Sequence, residues 1–496
     1  MNKDYILLKY LIIFNIFHFH IINCELLFVY EHCRHGARGP LAKYMSKLTN
    51  NKNMYYDEFD IPWNIDGEDL TIRGKIQHYI LGIRNRYKYS QLLNFSKYNP
   101  NELLTHLTEY KRSNQSAYYQ LLGMYSPLIN ESNSKYEHTE NISKFYYPPN
   151  YLAWNNKSNN IGNNIGKNII KEAELSIKLL INNKNNTNIF LNKDINEFLL
   201  NPFLKNRTFY VKNDCKNFKK YMEHNYNEKY KELIIEKFEK KYENKLYKFF
   251  KYRTKEDLYV IKNSISKVDN YLVNYHEERN MDNFFSTTKI DKYDFYKTCI
   301  SIYKWWLYKI SCDKNIGLIE SSKLMEDLVE YMDTKINRKN KIKMIIDFGH
   351  DVTVGSIQTF MHEAFGADYE VCEFACNVFF ELHENSGKNE YYVEYYIDDE
   401  LKLNISYGAF KEKVIDIVWS DKEKEDFCLG NIYKVLYPNL FIFLIFFIVG
   451  IFILIFIVFV YKCHKKYSKK QSSSKHKENM EENNGNNKEM ELINNN

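Results

Sequence analysis

Arg34-His35-Gly36-Ala37-Arg38-Gly39-Pro40 is the stretch on which the reading of this 496-residue chain turns. One histidine lies between arginines at i−1 and i+3. Arginine presents a planar fork of donors suited to phosphate oxygens, and it keeps its charge. The glycines let backbone approach an anion closely. A neutral imidazole nitrogen held against phosphorus is a competent nucleophile. Taken alone, the same residues also make an ordinary Gly/Pro turn with charges on its surface.

Outward from this stretch, Glu25 to Cys33 is apolar at first and ends before the Gly/Pro-rich turn, which predicts a buried strand. Its carboxyl end delivers Arg34 and His35 to a loop, where ligands gather in open α/β sheets. Asp69 to Tyr89 reads as a helix with Thr71 as its cap. Ile72, Ile76, Tyr79, Ile80, Ile83 and Tyr87 recur there at helical spacing. Leu103 to Arg112 reads as a strand entering a second loop, and Asn114 to Met124 as a helix. Tyr125 to Phe209 is loop-rich, with Asn clusters. Glu228–Lys251, Tyr293–Ile310 and Ile316–Tyr331 read as helices.

The sheet resumes at Lys343 to Phe348, a short apolar run that ends on Gly349-His350-Asp351. A helix over Thr353–Phe365 and strands over Val378–Glu384, Tyr391–Ile397 and Leu401–Ser406 follow. Two distant strand-to-loop junctions therefore each present a histidine. The expected fold is α/β: a mixed, largely parallel sheet with helices on both faces, formed by residues 25–125 and 335–432. A mainly helical lobe, residues 126–334, is inserted between these halves. In isolation His350-Asp351 also fits a helix-capping Asp beside a chance histidine, and a lone Arg112 fits a solvated surface.

The two ends set an expected topology. Tyr5 to Asn23 is apolar and fits a secretory signal peptide over 1–24, cut near Cys24, with an uncleaved anchor as the alternative. Leu440 to Val460 carries no charge; at ~1.5 Å per residue it spans the ~30 Å hydrocarbon core. Lys462, Lys465, Lys466, Lys469, Lys470, Lys475 and Lys477 follow, and such a flank stays cytoplasmic. The expectation is a single-pass type I membrane protein with a transmembrane helix over 438–461 and a polar, disordered tail over 462–496. The ectodomain, 25–432, then faces a secretory or lysosome-like lumen or the outside. Sequons at Asn94, Asn114, Asn130, Asn141, Asn156, Asn185, Asn206 and Asn404 agree weakly with a glycoprotein, since Asn-rich chains produce them by chance.

Apolar residues are 44% of the chain, enough for a sizeable core. A net charge of +6 does not suggest nucleic-acid binding, and the abundance of Tyr, Lys and Asn reads as a bias of the source. Of nine cysteines, Cys24 sits at the edge of the signal and Cys463 on the cytoplasmic side. The others would meet an oxidising compartment, and their odd number leaves at least one free or paired between chains. No CxxC meets a second CxxC, and His362-Glu363 does not extend to HExxH, so no zinc site is expected. Cys33 reads as a small buried apolar residue.

Together these pieces resemble the histidine acid phosphatases of the histidine phosphatase superfamily (branch 2). Arg34 to Pro40 matches the family's RHGxRxP signature, and Gly349-His350-Asp351-Val352-Thr353-Val354 matches its later HD pair. Leu70-Thr71-Ile72-Arg73-Gly74, Gln77-His78 and Leu81-Gly82 resemble a conserved helix, and Arg112-Ser113 its R-S segment. The resemblance runs from about Leu26 to Cys428 and is faint between Ser126 and Asn340.

It implies that His35 takes the phosphoryl group and Asp351 protonates the leaving group. Arg34, Arg38, Arg112 and His350 would bind the phosphate, with no metal and no cofactor. It also implies a Cys215–Cys376 disulfide, with Cys372 as a competing partner; Lys216 replaces the family's usual proline. The function implied is hydrolysis of phosphate monoesters at acidic pH. A phytase or inositol-polyphosphate phosphatase is the alternative enzyme, and a catalytically inactive surface binding protein the alternative of another class. The oligomeric state stays open, a homodimer included.

Overall fold

The computed structural model describes residues 24–41, 45–47, 55–57, 61–125, 147–148, 163–182, 215–242, 261–385, 387–388, 390–430 and 442–466. Residues to Cys428 form one compact unit, and those from Leu429 a second. The proposed signal segment and the polar tail beyond Lys466 lie outside the described residues, as do the sequons at Asn130, Asn141, Asn156, Asn185 and Asn206.

In the first unit, strand β1 (Cys24–Arg34) is central. Its alternation sends Val29 and Cys33 to one face and Phe28, Tyr30 and His32 to the other. It pairs in parallel with β6 (Met344–Gly349), so that Arg34 lies beside Gly349. Strand β5 (Leu103–Leu107) pairs in parallel with the far side of β6. On the other side of β1 runs an antiparallel meander: β7 (Asn377–Asn385), β8 (Glu390–Ile397) and β9 (Glu400–Ser406). The strand order is β5-β6-β1-β7-β8-β9.

The sheet is mixed, but it is not largely parallel. Three of its pairings are antiparallel and two are parallel. The reason is connection length: β7, β8 and β9 are joined by short turns, which permit only antiparallel pairing, whereas β1, β5 and β6 are linked through helices. Two short β-ladders over Ser46–Lys47, Tyr55–Tyr56 and Pro62–Trp63 (β2, β3, β4) form a separate small sheet.

Helices cover both faces. On one side lie α1 (Ile72–Lys88) and α2 (Lys111–Tyr125), which close over Val29, Cys33, Leu103, Met344, Ile346 and Phe348. Thr71 caps α1, its hydroxyl accepting from Gly74 N–H, an interaction that adds about 1 kcal/mol. Arg112 sits in the first turn of α2, not in the expected strand, because β5 stops at Leu107 and Thr108 to Tyr110 make the turn. Gly82 of α1 and Gly123 of α2 let the two backbones nearly touch.

On the opposite face lie α8 (Lys314–Ile336), α9 (Asp351–Phe365) and α10 (Tyr407–Ile417). Phe28 of β1 stacks on Tyr331 of α8 at 6.3 Å. Thus α8, although inside the expected insertion, packs under the sheet.

Among the described residues, the inserted lobe also holds α3 (Asn163–Asn182), α4 (Phe218–Ile234), α5 (Ile261–His276), α6 (Asp282–Thr288) and α7 (Lys292–Trp306). Helix α3 falls where loops were expected: its apolar Ile169, Ala173 and Ile177 dock on α1 and outweigh the local Asn content. The segment read as Glu228–Lys251 starts earlier, at Phe218, and Leu246 lies outside the described residues.

The expected Cys215–Cys376 disulfide is replaced by two others. Cys215 pairs with Cys428, and Cys376 with Cys372. The backbone explains the exchange. Cys215 precedes α4, where Asn217 N–H donates to Cys428 carbonyl and Asn217 Nδ2 to Phe427 carbonyl, tying that turn to α11 (Asp421–Leu429). Cys376 instead lies at the foot of β7, its carbonyl accepting from Arg34 N–H. Cys33, Cys299 and Cys312 are buried and lie outside these disulfides. In the second unit, α12 (Ile442–Lys466) is long and apolar enough to cross a membrane.

Candidate active site

The loop after β1 is built by backbone contacts with α1. Thr71 N–H donates to Ala37 carbonyl, Gly39 N–H to Asp69 carbonyl, and Ala37 N–H to Gln77 Oε1. Gly36 and Gly74 approach so closely that a Cβ on Gly74 would lie 2.0 Å from Ala37 carbonyl oxygen. His35 N–H donates to Gly349 carbonyl, which locks the first junction to the second. His78 of α1 contacts Arg34 carbonyl at 3.2 Å and Gln120 at 2.9 Å; burial brings its pKa down to about 4.

All six site residues expected from sequence converge here. His35 is buried, and its Nδ1 lies 2.9 Å from Gly36 carbonyl. A carbonyl only accepts, so Nδ1 carries the proton and Nε2 keeps its lone pair. Burial, then Arg112, His350, Arg34 and Arg38, hold its pKa well below the ordinary imidazole value. Both effects favour the neutral imidazole. The His350 ring stands edge-on to it, centroids 5.4 Å apart. His350 Nε2 contacts Thr108 Oγ1 at 3.0 Å, and Arg112 Nη2 donates to its Nδ1 at 3.3 Å. Burial first and Arg112 next also push its pKa down.

Each arginine rests on a carboxylate. Arg34 Nη2 is 3.2 Å from Asp351 Oδ2, and its Nη1 donates to Cys372 carbonyl at 2.6 Å. Arg38 Nη2 donates to both oxygens of Asp269, at 3.0 and 2.9 Å. Arg112 Nη1 donates to Glu68 at 2.8 Å. The Nε–H groups of Arg34 and Arg38 are buried without an acceptor among the described residues. Buried donors of this kind suit an anion. Phe374 forms the floor, 4.4 Å from the Arg34 guanidinium and 5.9 Å from the His35 ring.

Asp351 opens α9, with His350 in the N-cap position. A helix start of this kind itself favours an anion. Asp351 Oδ1 accepts from Val352 N–H at 2.9 Å, and Oδ2 accepts from the Tyr303 hydroxyl. Burial opposes its charge, but Arg34, Tyr303 and His350 prevail and bring its pKa down to about 2. In the resting site Asp351 is a carboxylate.

Sequence reasoning missed several neighbours. Tyr303 and Asp269 come from α7 and α5 of the inserted lobe, where one tyrosine or one acid in a helix carries no signal of its own. Glu68 and Thr108 flank segments already singled out, so proximity to Arg112 was the available clue. Elsewhere, Glu381, His383 and Glu394 bring potential metal-ligand atoms together. That set is satisfied internally: His383 lies 3.4 Å from both acids, and Lys88 lies 2.7 Å from Glu381.

Fold and site together define an α/β protein whose buried histidine and arginines converge on an anion pocket at the carboxyl ends of parallel strands. The chain belongs to the histidine phosphatase superfamily (branch 2), whose family model matches residues 25–398. It is similar to the phytase of Citrobacter braakii, at 12% identity over 81% of this chain and 99% of that one, with a TM-score of 0.45. It is also similar to a phytase of Klebsiella sp. ASR1 (9% identity, 81% and 98% covered, TM-score 0.48). A third similarity is to the multiple inositol polyphosphate phosphatase of Bifidobacterium longum in complex with inositol hexasulfate (12%, 77% and 87%, 0.38). No curated protein matches the chain.

Proposed function

We propose that this chain is a phosphatase that hydrolyses phosphate monoesters through a phosphohistidine at His35, and that it is a general acid phosphatase. The observation that carries this reading is the neutral His35, its Nδ1 tied to Gly36 carbonyl and its Nε2 left as a nucleophile among three arginines.

The ester phosphate binds to Arg34, Arg38, Arg112 and His350 and displaces the carboxylates that rest there. His35 Nε2 attacks phosphorus, the bond to the ester oxygen breaks, and that oxygen takes a proton from Asp351. Water then attacks the phosphohistidine and gives its proton back to Asp351; phosphate leaves and His35 is regenerated. The arginines neutralise charge on the equatorial oxygens as it redistributes. Asp351 needs a proton for the first step, and its pKa of about 2 in the resting site opposes this. Substrate supplies the correction: a phosphate draws Arg34 away from Asp351 and adds negative charge beside it, and both effects raise the carboxyl's pKa. This favours activity in acid.

A phytase reading is weaker on charge. Beyond the central arginines, Arg73 is paired with Glu278 and Lys111 with Asp69. A substrate with many phosphates would find few donors beyond the central site. An inactive binding protein would not need Arg34, His35, Arg38, Arg112, His350 and Asp351 together.

We also infer a type I membrane topology with residues 25–432 lumenal or extracellular, supported by α12 and by the two disulfides. In this reading residues 1–24 are the signal, 126–334 the inserted lobe, 438–461 the span and 462–496 the tail. Phosphate release from p-nitrophenyl phosphate tests the enzymatic reading. The full-length protein in detergent should be active, and His35→Ala and Asp351→Ala should lose most activity. Equal rates for the protein and His35→Ala would sink it.

A further inference from the structure

Asp269 has no part in the chemistry just described, yet its carboxylate holds Arg38 through two hydrogen bonds at the centre of the site. It reaches there from α5 of the inserted lobe. Beside it is a small cavity of about 20 Å³, lined by Arg34, Asp269, His276, Tyr303, Glu373 and Phe374 among others. That volume admits one water-sized group. A second carboxylate, Glu373, stands in the same wall.

Phosphate binding disturbs this arrangement. Phosphate oxygens compete with Asp269 for the Arg38 donors, beginning at the free Nε–H, and Asp269, whose side chain is only 15% exposed, loses part of its cation's hold. A half-broken buried ion pair is costly, because one charge stays desolvated and unpaired. A substrate that brings its own cation removes the difficulty. The phosphate then replaces Asp269 on Arg38, and the cation replaces Arg38 on Asp269. An ammonium is compact, presents three donors and fits a space of one water. A second anionic group on the substrate would instead meet Asp269 and Glu373.

We propose that the cavity beside Arg34 receives the ammonium group carried by the alcohol of a phosphomonoester, with Asp269 and Glu373 taking up the positive charge. This rests on the phosphatase reading above and names its substrate class. Asp269 and Glu373 are specificity-determining residues in it.

The test uses the full-length protein with three esters: O-phosphoethanolamine, its neutral isostere propyl phosphate, and p-nitrophenyl phosphate. The ratio of kcat/KM for phosphoethanolamine to that for propyl phosphate should be about tenfold or more in the unmodified protein. It should fall toward one in Asp269→Asn and in Glu373→Gln. Because the ratio is internal to each variant, a general loss of activity does not mimic the effect. A ratio of one or less in the unmodified protein, or a ratio that survives both substitutions, overturns the inference. Hydrolysis of p-nitrophenyl phosphate without the preference overturns this inference alone; hydrolysis of none of the three overturns the phosphatase reading with it.

Discussion

Replacing Gly74 by Ala separates two effects of opposite sign. Gly74 lies in the first turn of α1, where alanine's helix propensity would stabilise by about 1 kcal/mol. Packing opposes this. The new Cβ would stand 2.0 Å from Ala37 carbonyl oxygen and 2.7 Å from Ala37 nitrogen, whereas ordinary contacts begin near 3.4 Å. The loop and the helix must part by about 1.4 Å, and both partners are backbone, so no side chain can rotate away. Overpacking of this kind costs about 1–3 kcal/mol. The net is a loss of roughly 0–2 kcal/mol, a fall in Tm of at most about 4 °C. Activity should suffer more, because the displaced backbone carries His35 and Arg38, and an error of ~1 Å at a reacting group costs about a hundredfold. Gly82→Ala is the control. Its Cβ meets Gln120 carbonyl oxygen at an equal 2.0 Å, but at the crossing of α1 with α2. Thermal unfolding and kcat/KM for p-nitrophenyl phosphate should show similar Tm losses and a far larger activity loss in Gly74→Ala. A Gly74→Ala protein with raised Tm and full activity would refute the reasoning.

Three further outcomes are expected. Tyr303→Phe removes a donor that favours ionised Asp351; the acid's pKa rises, and the alkaline limb of the kcat/KM profile should move up by about one pH unit, where no movement would exclude Tyr303 from tuning Asp351. Asp398 is buried, and burial pushes its pKa up to about 8 from 3.8; the folded state holds this proton more tightly than the unfolded state, so the stability it brings is complete below about pH 4 and is lost as pH rises toward 8. Asp398→Asn should therefore raise Tm at pH 8 and leave it unchanged at pH 4, and the reverse pattern in a pH series of thermal melts would contradict this. Cys215 and Cys428 close a loop of 213 residues; Cys428→Ser should cost about 2–5 kcal/mol in denaturant unfolding, and peptide mapping that joins Cys215 to Cys376 instead would overturn the pairing.

The legible parts of the molecule were those encoded locally. The apolar run before Arg34 and the one before Gly349 each specify a strand, and the Gly/Pro loop and the capping Thr71 mark the turn and the start of α1. Arg34, His35, Arg38, His350 and Asp351 could be named because they lie at or just beyond such junctions. The balance of parallel and antiparallel pairing was not local; it depends on β7 to β9 folding back as a meander against β1. Disulfide choice failed for the same reason, since it rests on α4 and α11 meeting across a long separation. Tyr303 and Asp269 reach the site only because α7 and α5 pack over it, and nothing in Trp305-Trp306 or Val268-Asn270 marks them. Their carboxylate and hydroxyl nevertheless set the charge state that substrate must change.

The nucleophilic role of His35 is tested most directly by trapping the intermediate. The full-length protein is mixed with p-nitrophenyl phosphate at acidic pH, quenched within one turnover in alkali, and digested for mass spectrometry. The expected result is a phosphohistidine on the peptide that contains Arg34 to Pro40, stable in alkali, labile in acid, and absent from His35→Ala. Turnover with no phosphorylated His35, or with the phosphate on another residue, would contradict it.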